Sequence, residues 1–456
     1  MIARLLLTVL FGSSVTIVSY AENALGPAMS LEAVYRMAVD QAPSLAVARY
    51  RVDSAEAQSA EAAGALLPQL SVFGEWTDNT LGYDGPLSAV YEDQSYNGER
   101  YGFRARQSLF DVARFRELQR REVLSDLSES ELAEAEIELL GAVADAYLTV
   151  VVADDTVRQF QTESTALEKQ LEEARALYAR ALLPVTQVLE TQTRSETVKA
   201  DLIEAEGDAA IARERLTELI DIRGFQLMPI AESVVLTASV TAVEDAVERA
   251  LRNSPSVSVA EEGLKAADYG VKREKGGFWP EVNLVISDQY SDVGFDNLTS
   301  PPRNVESVAI SVNYPLLAGG ARMAKIRGAR AEYYTAREEL ERVKRATETQ
   351  TRSAWVKLSA AKKRIAAAQR ALETSDVNVS AAQKSVRAGT ARVTDVLVAL
   401  AQRTRAQRDR VYAEQQHVMA WLELELITGN APRSVAPILS DALLNRGSVS
   451  ALQVSQ

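Results

Sequence analysis

The chain has 456 residues, a formal net charge of −13, one histidine and no cysteine. Disulfides, thiol catalysis, thiolate metal sites and an N-terminal lipid-modified cysteine are thereby excluded, and His417 alone supports neither a histidine metal cluster nor a catalytic triad. The acidic balance argues against nucleic acid as a partner, because that requires a basic face.

Met1 to Ala21 carries one basic residue, Arg4, then an apolar run ending Ser19-Tyr20-Ala21. This reads as a cleavable secretory signal over residues 1–21, the other reading being an N-terminal membrane anchor. Past Ala21 no apolar run approaches the ~20 residues of a spanning helix, so entry into a membrane would have to be by strands.

The mature chain repeats itself once. Leu31-Glu-Ala-Val through Pro43-Ser-Leu matches Val243-Glu-Asp-Ala through Pro255-Ser-Val at an offset of 212 residues, kept by Pro68 and Pro280. The offset falls to 207 at Leu109 and Leu316 and stays there at Leu219 and Leu426, so the second copy has a shorter connection between its strands. The copies span residues 22–226 and 227–429, and 430–456 reads as a loosely held periplasmic tail.

Each copy opens with an expected helix, Ser30 to Ala63 and Ala242 to Lys275, ended by Gly and Pro. Strands follow near 68–78 and 99–111, and near 280–290 and 305–317. In the second strand of each pair Tyr101, Phe103, Leu109, Val308, Ile310, Val312 and Tyr314 alternate with Arg104, Arg106, Ser108, Ser311 and Asn313. Apolar-out, polar-in strands of this length suit an outer-membrane barrel. A strand pair half buried on a soluble core has the same period. On the first reading Arg104 and Arg106 line a barrel lumen; on the second they pair with acidic neighbours. The connections Asn79 to Arg100 and Ser291 to Asn304, rich in Gly, Pro, Asn and Ser, read as exposed loops.

Helical spacing then runs unbroken from Val112 to Arg180 and from Ala321 to Val386, with return helices Val185 to Leu219 and Val393 to Ile427. Each long tract spans on the order of 100 Å. Trp355 and Trp421 read as packing residues, His417 as lying on a solvated or inter-helix face, and Glu163 to Arg180 as solvated surface with i,i+4 pairs. At the second turn Gly389 suits a left-handed helix end, Thr390 or Thr394 caps the return helix, and Asp395 falls in its first turn. Four strands do not close a barrel, so a membrane reading demands an oligomer of unspecified number.

The duplicated Leu-Glu-Ala-Val…Ala-Pro-Ser-Leu openings, the Pro-initiated strands, the exit Tyr314-Pro-Leu-Leu-Ala-Gly-Gly-Ala-Arg322 and the Ala-Gly-Thr-Ala-Arg-Val-Thr-Asp-Val-Leu turn resemble the TolC-like outer-membrane efflux proteins. The resemblance covers Leu31 to Gly429. It implies a mainly α fold with a small β part: long helical hairpins forming a periplasmic tunnel, and four strands per chain in a twelve-stranded barrel shared by a homotrimer. It further implies a passive exit duct for efflux or type I secretion, in outer-membrane lipid, docking through its helical tips with a periplasmic adaptor coupled to an inner-membrane pump or ABC transporter. The tip residues would be Leu182, Leu183, Pro184, Arg387, Gly389, Thr390 and Arg392.

The family turn carries a tyrosine three before the Gly, an arginine two after it, and aspartates six and nine after it that ring the tunnel mouth. Here these fall on Val386, Ala391, Asp395 and Val398, with Arg392 displaced by one. The first-copy turn has Ala181 for the Gly and Gln187 for the acid. Asp395 is thus either a helix-start carboxylate or a constriction. No enzyme, metal or cofactor is expected, and there is no phosphate-loop pattern. A soluble periplasmic coiled-coil scaffold or adaptor is the other class of function; a hydrolase is the weakest reading, with no nucleophile, base and orienting group at meaningful spacing.

Overall fold

The computed structural model describes residues 28–82, 85, 94–231, 234, 236–292, 301–388 and 390–444; residues 1–21 lie outside them. The described elements are α1 (Leu31–Gln41), α2 (Pro43–Gly64), β1 (Gln69–Leu81), β2 (Gln94–Phe110), α3 (Val112–Ala179) and α4 (Val185–Ile220), then α5 (Val243–Asn253), α6 (Pro255–Gly276), β3 (Glu281–Asp292), β4 (Arg303–Asn313), α7 (Ala321–Arg387), α8 (Val393–Ile427) and α9 (Pro432–Leu443). One order of helix, helix, strand, strand, long helix and return helix therefore occurs twice.

The expected opening helices are each split. Ala42 and Ser254 take extended conformations (ψ 118° and 127°) before Pro43 and Pro255. A residue before proline is pushed out of the α region, and proline is tolerated in the first turn of the next helix.

The strands form one antiparallel sheet in the order β1-β2-β3-β4. They run further into the presumed loops than the composition indicates: Thr77 to Leu81 pair in register with Gly98 to Gln94, and β3 continues to Asp292. Polar residues in these stretches carry ladder bonds as well as any others, because the ladder uses only the backbone. At the other end β4 stops at Asn313, before Pro315, which has no N–H to offer.

Beneath the sheet, helix packing runs α2 against α3, α3 against α6 and α6 against α7, while α3 with α4 and α7 with α8 form the two long hairpins. α6 and α3 approach closely at the sheet's base, where a Cβ on Gly276 would come within 2.9 Å of Ala113 Cα. Only glycine allows that backbone contact.

The main core lies midway down α3 and α7, where α1, α4, α8 and α9 converge with the segment between the two halves. Tyr147 donates to the carbonyls of Met29 (3.3 Å) and Met228 (3.0 Å), beside the short bridge between Met29 and Leu227. Burial raises the pKa of this hydroxyl, which holds it in the donating form. Trp421 Nε1 donates to the Thr237 carbonyl (3.1 Å), and the fully buried Glu425 accepts from Ser239 N–H (2.7 Å) and Asn430 Nδ2 (2.6 Å). Trp355 packs against the same core, so both tryptophans are packing residues. Residues 432–443 are not a loose tail: Val435, Ala436, Leu439 and Leu443 of α9 are buried in this core.

His417 is 4% exposed, and its Nδ1 has no hydrogen-bond partner among the described residues. Burial, and then the charge of Lys362, lower its pKa below the ordinary 6.5. The unfolded chain therefore takes up this proton before the folded one, and stability falls as pH drops from about 6.5 through the lowered value. Thermal melting monitored by helical circular dichroism is expected to show this loss just below pH 6.5, above the carboxylate range. His417→Leu is expected to flatten it.

Candidate duct wall and helical tips

Register assigns each strand residue to a face. Leu70, Ala105, Ile286 and Val308 lie in one row; Val72 and Phe103 begin the next, which continues into Asp288 and Glu306; and Tyr101 stacks on Tyr290 at 4.9 Å on the same side. This apolar face is bare: Val72 is 82% exposed and Val308 74%. The opposite face carries Ser71, Arg104, Ser287 and Ser307 in one row and Gln69 and Arg106 in another. Its Asn283 and Ser291 are each only 5% exposed. Gln69, Ser71, Arg104, Arg106 and Ser307 of this face are exposed as well, so both faces are open; a bared apolar face is the reverse of what a sheet in a soluble protein shows.

Arg104 lies over the Phe73 ring at 5.6 Å, and neither Arg104 nor Arg106 meets a carboxylate within ion-pair distance among the described residues. The cross-strand pair on this face is instead Arg100 with Glu75, at 3.6 Å. Among the described residues the outer edges of β1 and β4 pair with no further strand. Among the described residues no helix is long and apolar enough to cross a membrane.

At the far end the two turns share a geometry and differ in chemistry. After α3, Leu182 N–H returns to Leu177 O (3.0 Å); after α7, Thr390 N–H returns to Ser385 O (2.9 Å). Both are six-to-one closures, which require a left-handed residue just before the returning N–H. In the first turn that residue is Ala181, at φ 58°. In the second the corresponding residue by sequence is Gly389, which lies outside the described residues.

Around the first turn Leu177, Tyr178, Leu182, Val185 and Leu189 are exposed, Leu182 at 69%. Leu183 packs on Leu171, Ala174 and Val188, and Pro184, extended at ψ 149°, precedes α4. Around the second turn Lys384, Arg387, Thr390, Arg392 and Asp395 are exposed. One tip is apolar and the other is basic with a single acid.

Neither Thr390 nor Thr394 caps α8 with its side chain. The Thr390 hydroxyl donates to Ser385 O (3.1 Å), drawn there by the closure of α7, so the cap falls on Arg392. Arg392 N–H donates to Asp395 Oδ2 (2.9 Å), and this carboxylate holds the helix start.

Glu163 departs from the solvated surface expected of its segment: it is 9% exposed and receives Arg194 Nη2 of α4 (2.6 Å) and the Thr404 hydroxyl of α8 (3.0 Å). The ion pair that Lys199 of α4 makes with Glu168 likewise crosses between helices, at 3.2 Å. Charge density alone does not show which helical stripe faces a neighbour.

The profile of the outer membrane efflux protein family matches residues 34–220 and again 246–430. The chain belongs to this family. It is 26% identical to the alkaline protease secretion protein AprF of Pseudomonas aeruginosa, covering 94% of this chain and 89% of AprF. With the outer membrane protein TolC of Escherichia coli K12 it shares 23% identity over 96% of this chain and 89% of TolC. The crystal structure of the CmeC outer membrane channel of Campylobacter jejuni superposes with a TM-score of 0.77, covering 97% and 98% of the two chains at 13% identity, so the fold is shared. The protein is thus a TolC-like outer-membrane transport protein, of a family of channels rather than enzymes.

The left-handed Ala181 stores strain that glycine would release, roughly 1–2 kcal/mol. The greater unfolded-state freedom of glycine offsets part of this. Ala181→Gly is therefore expected to slow hydrogen exchange at the Leu182 amide several-fold, a change that amide-resolved exchange would read directly.

Proposed function

We propose that the protein is a passive exit duct of an efflux or type I secretion system, assembled as a homotrimer whose twelve strands close a barrel in the outer membrane. The observation that carries this reading is the inverted sheet with two open edges. In lipid an unpaired ladder edge costs several kcal/mol per group, and closure removes both edges. Because β1 and β4 run in opposite directions, β4 of one copy meets β1 of the next antiparallel, and any number of copies continues the same up-and-down pattern. The family resemblance selects three.

In this reading Arg104 and Arg106 face the barrel lumen and favour anions there. The helical tips meet a periplasmic adaptor, which couples the duct to an inner-membrane pump that supplies the energy. The apolar surface at Leu182, Leu183 and Pro184 fits an apolar adaptor surface; Arg387, Thr390 and Arg392, with Gly389 at the turn, fit an acidic one. Relatives named for TolC and for protease secretion leave both cargo classes within this scheme.

Fractionation is expected to recover the protein from the outer membrane as a heat-modifiable trimer. Recovery as a soluble periplasmic species would replace the duct with a scaffold.

Asp395, one per subunit, forms a carboxylate ring at the tunnel mouth in this assembly and prefers cations. Asp395→Asn retains an oxygen that accepts from Arg392 N–H, so the helix start survives while the charge is lost. Single-channel recording in planar bilayers is expected to show reduced cation selectivity and weaker divalent block. Unchanged values would leave Asp395 as a helix cap only.

A further inference from the structure

The two lateral edges of the helical layer beneath the sheet carry opposite charge patterns at matching depth. Because packing runs α2, α3, α6, α7 in the order of the strands above, α2 lies under the free edge of β1 and α7 under the free edge of β4. The end of α2 nearest the sheet bears Asp53, Glu56 and Glu61 with no base after Arg51. The start of α7 bears Lys325, Arg327 and Arg330 with no acid before Glu332. All six are exposed, and none has an ion-pair partner among the described residues.

Depth makes the match sharper. At 1.5 Å per residue Glu56 lies about 12 Å from the end of α2, between the levels of Arg327 (about 9 Å) and Arg330 (about 14 Å) from the start of α7. Farther from the sheet both patterns reverse sign: Arg49 and Arg51 on α2, Glu332 on α7. Over this stretch two helices running in opposite directions therefore present complementary charge when staggered by about 3 Å, which sets Glu56 near Arg327, Asp53 near Arg330 and Arg51 near Glu332.

A second observation comes from packing. The outer stripe of α7 holds Ala324, Gly328, Ala331 and Thr335, all exposed, and a Cβ on Gly328 would meet nothing within 4 Å. A glycine inside a helix costs about 1 kcal/mol relative to alanine. Nothing among the described residues makes use of that cost, whereas close approach by a helix from outside would. Ser54, Ala57 and Ala60 give α2 a similarly small outer surface.

We infer that α2 of one copy docks on α7 of the next, with Asp53 and Glu56 against Arg327 and Arg330 beside a small-residue seam at Gly328. This rests on the assembly proposed above and names its contact. The occupant of the seam is a second copy of this chain. The ion pairs act as a register device: a slip of one helical turn, about 5.4 Å, begins to set like charges opposite one another at the sign change.

The native chain has no cysteine, so a cysteine pair reports without background. Within one chain α2 and α7 are three helix spacings apart, roughly 25–30 Å, far beyond disulfide reach. Oxidising full-length Ser54→Cys/Ala331→Cys, or Ala57→Cys/Gly328→Cys, is expected to give covalent dimers and trimers on denaturing gels. Absence of the ladder from both pairs overturns the contact.

The double reversal Arg327→Glu/Arg330→Glu is expected to lower the yield of detergent-resistant oligomer about tenfold at low salt. Adding Asp53→Lys/Glu56→Lys is expected to restore it. A loss that the second reversal does not repair, but that tracks the anionic lipid content of reconstituted vesicles, would assign the basic face to phospholipid and refute the proposal. If these variants fail while the wild type still assembles, only this contact is wrong; if the wild type itself stays monomeric, the assembly is wrong.

Discussion

The constraint on which the structure depends is that backbone hydrogen bonds must be satisfied in a medium that offers none. A four-stranded sheet satisfies its two inner strands and half of each outer one. In water the remaining edges would be solvated; in the outer-membrane setting proposed above, with Val72, Val308 and their neighbours against hydrocarbon, they would have only another sheet edge to bond. On that reading assembly is built into the sheet, and the helices inherit its lateral order. The sequence of packing from α2 to α7 follows the strand order because each strand pair is flanked by the two helices that enter and leave it.

Much of this architecture was legible in the sequence, for physical reasons that differ between elements. The long helices could be bounded to within a residue or so because nothing from Val112 to Ala179 or from Ala321 to Arg387 interrupts a 3.6-residue period. The strand ends were less legible. Their outer turns use backbone pairing and polar side chains, the same composition a loop has. The break at Ala42 and Ser254 was available in principle, since the residue before a proline is restricted, but a continuous apolar period across it obscured the restriction.

The site was legible in part. The polar stripe with Arg104 and Arg106 and the two turns followed from period and spacing. The burial of Glu163 did not, because its partners Arg194 and Thr404 stand 31 and 241 residues away. The strain at Ala181 needed both kinds of information: comparing the two copies marks the position, and only the backbone angle gives the loss of glycine its cost. The tips thus differ in sequence as well as surface chemistry, the first holding its turn on a left-handed alanine.

The segment joining the two halves bears on how the chain reaches its destination. Its residues are gripped by elements from both sides: Met228 by Tyr147, Thr237 by Trp421 and Ser239 by Glu425. The N-terminal half, emerging first, lacks α8 and α9 and hence much of the core that its own α1 and α3 require. Tertiary closure waits for the last tenth of the chain, because contacts of such long sequence separation form only after the intervening polypeptide is present. A polypeptide bound for the outer membrane must cross the inner one as an extended thread, and a fold that cannot lock until its C-terminus arrives remains threadable throughout that passage.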